Sequence, residues 1–269
     1  MLDGSWRRDD ARGRADHAGP ARPALLWGIV ALGVALRAWL ILHRPWLWLD
    51  EAHLAPTIRT RDWAGLFAPA GNDQMAPIGY MLFAKLSVTL FGPGEVALRL
   101  PALIAGIAAL ALFVPVTRLL RLPPRVAIGV VAVAAILPAY IRYSAELKQY
   151  SLELCVALLA LVLALTARER PGLRRRAPLL ALGFPAVFLA LSAPFALAGV
   201  TIPLLVRDLR RRDWTTLLVT AAVAAAWCAA FALHYLTVHD AATDGKFSAW
   251  WAEDFAPHSA GIATWAINH

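Results

Sequence analysis

Apolar residues run along this chain in long blocks, and polar residues gather into short segments between them. A helix that crosses a bilayer needs roughly 20 apolar residues, with about 17 as a lower limit. Ala24–Leu42 meets that need and is broken by one charge, Arg37, close to its far end. Such an arginine either snorkels to the headgroups or turns into the bundle. Ala97–Leu119, Val126–Ile141, Ser151–Thr166 and Thr215–Val238 read as further spans. Pro178–Val206 is a longer apolar stretch broken at Ser192-Ala193-Pro194. Pro77–Phe91 is shorter, holds Lys85 in its middle and stops at Gly92-Pro93-Gly94, which predicts an interfacial helix.

The polar segments set the orientation. Arginine clusters occupy the N-terminal tail and positions 118–125, 168–176 and 207–212. Basic bias in short loops places these on the cytosolic side. The 44–96 segment, the 142–150 loop and the tail from His239 then lie outside. Parity makes 178–206 a hairpin of two short spans, with one long tilted helix as the competing reading. The three lysines of the chain, Lys85, Lys148 and Lys246, all fall on the outer side. The expected fold is an all-α polytopic membrane protein of about seven transmembrane helices. Residues 1–22 form a disordered cytosolic tail. Residues 23–238 form the membrane domain, whose amphiphilic first outer loop, 44–96, carries interfacial helices. Residues 239–269 begin an outer loop or segment, and the expectation is either a truncated product or one part of a longer enzyme.

Composition agrees with a membrane protein. Of 269 residues, 59% are hydrophobic and 16% charged, against about 25% charged in soluble domains. The net charge of +8 does not imply a nucleic-acid partner, because the arginines sit between apolar spans. No removable signal peptide is visible at the N-terminus. Cys155 and Cys228 fall inside spans and read as packing residues, neither a disulfide nor a metal pair.

Candidate chemistry begins where the first span ends. In Leu47-Trp-Leu-Asp-Glu-Ala-His53, Asp50 and Glu51 stand side by side with His53 behind them. Carboxylates are costly in hydrocarbon and cheap at headgroup depth, and Trp46 and Trp48 suit that depth. The outer loop Arg142-Tyr-Ser-Ala-Glu-Leu-Lys-Gln-Tyr150 brings a second acid, Glu146, with Arg142, Lys148, Tyr143 and Tyr150. A plain alternative is a solvated turn with an internal Glu146–Lys148 pair. The functional reading has both loops converge, with Lys85, Arg142 and Lys148 supplying positive charge. Acid beside cation suits transfer from a phosphate leaving group.

The order of these features resembles the membrane glycosyltransferases of the GT-C class, which take sugar from a polyprenyl-phosphate carrier. The nearest branch contains the protein O-mannosyltransferases and the lipid A aminoarabinose transferase. The matching pieces are Leu49-Asp-Glu-Ala52, Ala76-Pro-Ile-Gly-Tyr80 leading to Phe91-Gly92, Leu98-Arg-Leu-Pro101 and Tyr143-Ser-Ala-Glu-Leu-Lys-Gln-Tyr150. The resemblance covers Leu25 to Val238. It implies that Asp50 is the general base on the acceptor hydroxyl and that Glu51 helps hold acceptor or metal. It implies that Glu146 completes the site and that Lys148, Tyr150 and Lys85 lie near the carrier phosphate. Met75-Ala76-Pro77 stands where many members carry His-Pro-Pro, and Lys148 where many carry arginine. Lysine keeps the charge and loses the bidentate fork.

The expected activity is inverting glycosyl transfer from a polyprenyl-phosphate-linked sugar to a hydroxyl on a glycan, lipid or protein acceptor. The expected place is the outer face of the plasma or inner membrane. Such donors bring their own leaving group, and the chain contains no phosphate-binding glycine loop. A divalent metal ion on Asp50, Glu51 and His53 would aid departure of the phosphate. His234 and His239 read as packing residues. Trp250-Trp-Ala-Glu-Asp-Phe255 reads equally as a lid or as an interfacial aromatic belt. Two other functions fit the same residues. One is a secondary transporter with a relay through Asp50, Glu146 and Arg37; the other is a non-catalytic subunit of a glycan assembly complex.

Overall fold

The computed structural model describes residues 23–44, 46–68, 74–169 and 172–239. Among these residues every regular element is helical: α1 Pro23–His43, α2 Leu49–Thr60, α3 Ile78–Phe91, α4 Glu95–Leu119, α5 Pro124–Ile136, α6 Pro138–Tyr143, α7 Tyr150–Glu169, α8 Leu173–Leu189, α9 Ala193–Arg211 and α10 Trp214–His239. The proposed roles of Trp250–Phe255 and Lys246 lie outside the described residues, as does the N-terminal tail.

Four helices, α1, α4, α7 and α10, are long and apolar enough to cross a membrane by length and composition. That is fewer than the seven expected. The difference has a local cause at the third expected span, Val126–Ile141. Pro138 has no N–H to give to Ala134 four residues back and cannot continue the helix. The span divides into α5 and the six-residue α6. The 178–206 stretch does form two packed helices, α8 and α9. Its break falls at residues 190–192, and Pro194 opens α9 within its first turn. The arginine-rich segments 168–176 and 207–212 are largely helical rather than loops, since α7 runs to Glu169, α8 starts at Leu173 and α9 runs to Arg211.

The described residues of the 44–96 segment fold into packed helices rather than a plain loop. α2 lays Leu54, Ala55 and Ile58 against Tyr80, Met81, Ala84 and Val88 of α3, and both pack on Ala97 and Leu98 of α4. α3 stops at Gly92, whose φ of +89° a side chain would strain. A second apolar core joins α1, α4 and α5 through Leu26, Val30, Leu110, Val114 and Val131. A third joins α7 to α8, α9 and α10 around Leu179, Val187, Leu197 and Trp227. Glycine allows the closest approaches. A Cβ on Gly183 would lie 2.0 Å from the Trp227 ring, and one on Gly106 would lie 2.1 Å from Ser144 Oγ.

Arg37 faces the bundle and is 2% exposed. Its Nη2 donates to Ala134 O at 3.0 Å and its Nη1 to Ala135 O at 3.1 Å. These are the carbonyls orphaned where Pro138 ends α5. Its Nε donates to Ser144 Oγ at 3.2 Å, which fixes the turn leading into the 144–150 segment.

Candidate active site at the α2 corner

α2 begins where the chain turns out of the Trp46–Trp48 segment, so Asp50 and Glu51 share its first turn. Negative charge is favourable there, against the positive end of the helix dipole. Neighbouring helical residues point about 100° apart, as 3.6 residues per turn requires. One carboxylate therefore turns inward and the other outward.

Glu51 turns inward and is 1% exposed. Arg99 of α4 meets it with a two-pronged contact, Nε to Oε1 and Nη2 to Oε2, both at 2.8 Å. The N–H of Trp48 donates to Oε2 and the N–H of Leu147 to Oε1, each at 2.7 Å. Burial works against the charge. The Arg99 guanidinium and the two N–H groups outweigh it and hold the carboxyl below its ordinary range. Arg99 also donates to Arg44 O and to Trp46 O. The pair thus ties α4, the 44–48 segment, α2 and the 144–150 turn into one knot. Tyr80 is buried beside it without a hydrogen-bond partner for its hydroxyl. Burial first, and the charge of Glu51 second, push that phenol well above its usual range.

Asp50 turns outward, with 47% of its side chain exposed, and lies 3.2 Å from Lys148 Nζ. Lys148 also donates to Gln74 Oε1 at 2.8 Å. Glu146 is buried, and its Oε1 accepts from Arg142 Nε at 2.7 Å and from Arg44 Nη1 at 3.1 Å. The internal Glu146–Lys148 pair of a plain turn is not what forms, since each partner reaches across to another segment. Arg142 also lies over the Trp48 ring, 5.9 Å from its centre.

The corner brings together Asp50, Glu51, Arg142, Glu146 and Lys148 from the sequence-derived set. Tyr143 and Tyr150 meet at its edge with tilted rings, 4.9 Å between ring centres. Both line a cavity of about 240 Å³ below, with Arg37, Ser144, Ser151 and Gly106. A groove along α5, lined by Val126, Val130, Val133 and Leu137, shares Phe113, Ala134 and Tyr140 with that cavity. His53 is partly buried on α2, three residues after Asp50. Lys85 is placed elsewhere. Its Nζ donates to Ile58 O at 3.0 Å and Arg59 O at 3.4 Å, capping the last turn of α2.

No protein-family model, curated protein or solved structure matches this chain.

Arg44, Arg99 and Gln74 were not assigned a role from sequence, and all three sit in the corner. Arg99 carried a faint signal, as a lone charge at the start of a long apolar run. The residues do not fit a divalent metal. Both oxygens of Glu51 are taken by Arg99 and backbone N–H groups, and no group of three His, Cys, Asp or Glu converges among the described residues. Chemically the corner offers one accessible carboxylate beside an ammonium, with two more cations held in place by a buried acid.

Proposed function

We propose that this chain is a membrane glycosyltransferase that moves one sugar from a polyprenyl-phosphate carrier to a hydroxyl acceptor at the outer face. The observation that carries the reading is the division of labour between the two adjacent acids. Glu51 is locked into the fold, and Asp50 is left half exposed next to Lys148.

In this reading Asp50 takes the proton of the acceptor hydroxyl as that oxygen attacks the anomeric carbon. The bond from that carbon to the phosphate oxygen breaks, and its electron pair leaves with the phosphate. Lys148 and Arg142 neutralise the charge that develops there. One displacement inverts the anomeric centre. Glu146 holds Arg44 and Arg142 in position. The carrier's hydrocarbon runs down the α5 groove, with its head under Tyr143 and Tyr150. The crossings by α5–α6 and by the α8–α9 pair complete seven passes and leave the arginine clusters in the cytosol.

The test is transfer from a labelled polyprenyl-phosphate sugar in membranes that hold the full-length protein, with the product mass read out. Asp50→Asn is expected to lower transfer by about 100-fold, the scale of a lost general base. Unchanged transfer at normal expression would remove Asp50 from this role.

A further inference from the structure

The end of the bundle opposite the corner gathers a second set of charges. Arg176 of α8 is buried and grips Asp208 of α9 with both terminal nitrogens, Nη2 to Oδ1 at 3.0 Å. Its Nη1 also donates to Thr220 Oγ1 of α10 at 2.7 Å. Arg207 approaches the same carboxylate at 3.6 Å and donates to Arg168 O, at the end of α7, at 3.0 Å. Two guanidinium groups therefore share one carboxylate, and Arg207 Nε and Nη2 are buried without a hydrogen-bond partner. Buried donors left unmatched are costly, more so on a charged group. Asp213, just before α10, also lies near both guanidinium groups, but the arginines of this end outnumber its acids and call for further negative charge.

The surroundings show what would supply it. Arg168, Arg174, Arg175 and Arg211 are exposed at the same end of the helices as Arg207. Arg211 lies one turn beyond Arg207 on the same face of α9. Every cation here is arginine, whose fork matches phosphate oxygens two at a time. The apolar side chains of Leu173, Val206 and Leu209 are exposed at this end of the helices as well, at 36%, 41% and 52%. A free anion has no use for that surface, whereas an acyl chain does. We infer that the ends of α7, α8 and α9 form a binding site for an anionic phospholipid, with the phosphate among the arginines and the chains against α9. Basic pockets between membrane helices suit such headgroups.

The test uses the full chain purified in detergent. Phosphatidylglycerol and phosphatidylcholine of the same acyl chains are titrated, with retention read by native mass spectrometry and stability by thermal unfolding. Phosphatidylglycerol is expected to be retained and to raise the unfolding temperature; phosphatidylcholine is not. Arg174→Gln/Arg175→Gln/Arg211→Gln removes exposed charges and leaves the buried Arg176–Asp208 pair intact. It is expected to weaken retention by about 100-fold, roughly fivefold per arginine. Arg118→Gln/Arg121→Gln/Arg125→Gln, at the α4–α5 turn of the same end, is expected to weaken it less than about tenfold. Arg174→Lys/Arg175→Lys/Arg211→Lys keeps the charge and is expected to recover retention in part. Equal retention of the two lipids would overturn the proposal. So would equal losses in the two glutamine triples, which mark a diffuse field, or stabilisation by inorganic phosphate as large as by the lipid.

Discussion

Arg99 and Glu51 hold each other face to face inside the protein, two nitrogens to two oxygens at 2.8 Å, across 48 residues of chain. Removing one partner of a buried pair leaves the other charged and unmatched, at about 3–5 kcal/mol. Glu51→Gln and Arg99→Met are each expected to lower the thermal unfolding midpoint sharply. The double variant should lose less than the sum of the two. Additive losses in the cycle would show that the pair does not couple.

The same carboxylate sets an acid limit. Its folded pKa lies below its unfolded value, so its contribution is complete above about pH 4.3, the ordinary glutamate value. It is lost as pH falls through the lower folded value. The stability gap between wild type and Glu51→Gln is therefore expected to be constant from neutral pH down to about 5 and to narrow below about pH 4. Unfolding curves of both proteins across that range check the sign; a gap that widens on acidification contradicts it.

Lys148 faces the exposed acid, and its substitution separates charge from shape. Lys148→Met is expected to reduce glycosyl transfer by roughly 10- to 1,000-fold, the range for lost electrostatic stabilisation of a leaving group. Lys148→Arg should retain much of the activity. Neither should change the stability by more than about 1 kcal/mol, because the pair with Asp50 is partly exposed. Product formation from labelled donor, with Lys148→Arg as the comparison, decides it.

Gly106 lies beneath the 144–150 turn, and an added methyl would meet Ser144 Cβ at 2.7 Å as well as its hydroxyl. Gly106→Ala is expected to destabilise by about 1–3 kcal/mol and to lower transfer by displacing the turn that carries Glu146 and Lys148. Gly28→Ala on α1 meets nothing within 4 Å and should be neutral or slightly stabilising. Equal behaviour of the two variants in melting and transfer assays would contradict the packing account.

Arg37 separates the enzyme reading from the relay reading. Its nitrogens are spent on Gly33, Ala134 and Ala135 carbonyls and on Ser144, and none of those contacts is to Asp50 or Glu146. Arg37→Met is expected to lower stability through the joint between α5 and α6. Uptake of solute into sealed vesicles that is lost in Arg37→Met, with no covalent product, would favour transport instead.

Much of this architecture could be read from hydropathy, because a bilayer-length apolar run is a strong local signal. What hydropathy misses is a break inside such a run: Leu137-Pro138 looks apolar yet divides the third expected span. The meeting of the two acidic segments was also readable, since charges cluster only at span ends. The different fates of Asp50 and Glu51 were not. Adjacent carboxylates look alike until a distant residue, Arg99, selects one of them. Lys85 was misread for a related reason. It is near the corner in sequence order, but α3 carries it to the far end of α2, where free carbonyls capture it.

The knot around Glu51 also bears on biogenesis. Its carboxylate waits 48 residues for Arg99 and 96 for the N–H of Leu147. At roughly 5–20 residues per second of synthesis, the nascent protein carries an incomplete corner for about 5 to 20 s after α2 emerges. During the first half of that interval the acid must stay hydrated at the membrane surface, because Arg99 of α4 has not yet been made. The reactive corner is thereby completed only when the 144–150 turn is made, and a ribosome that stalls before that turn releases a protein without it.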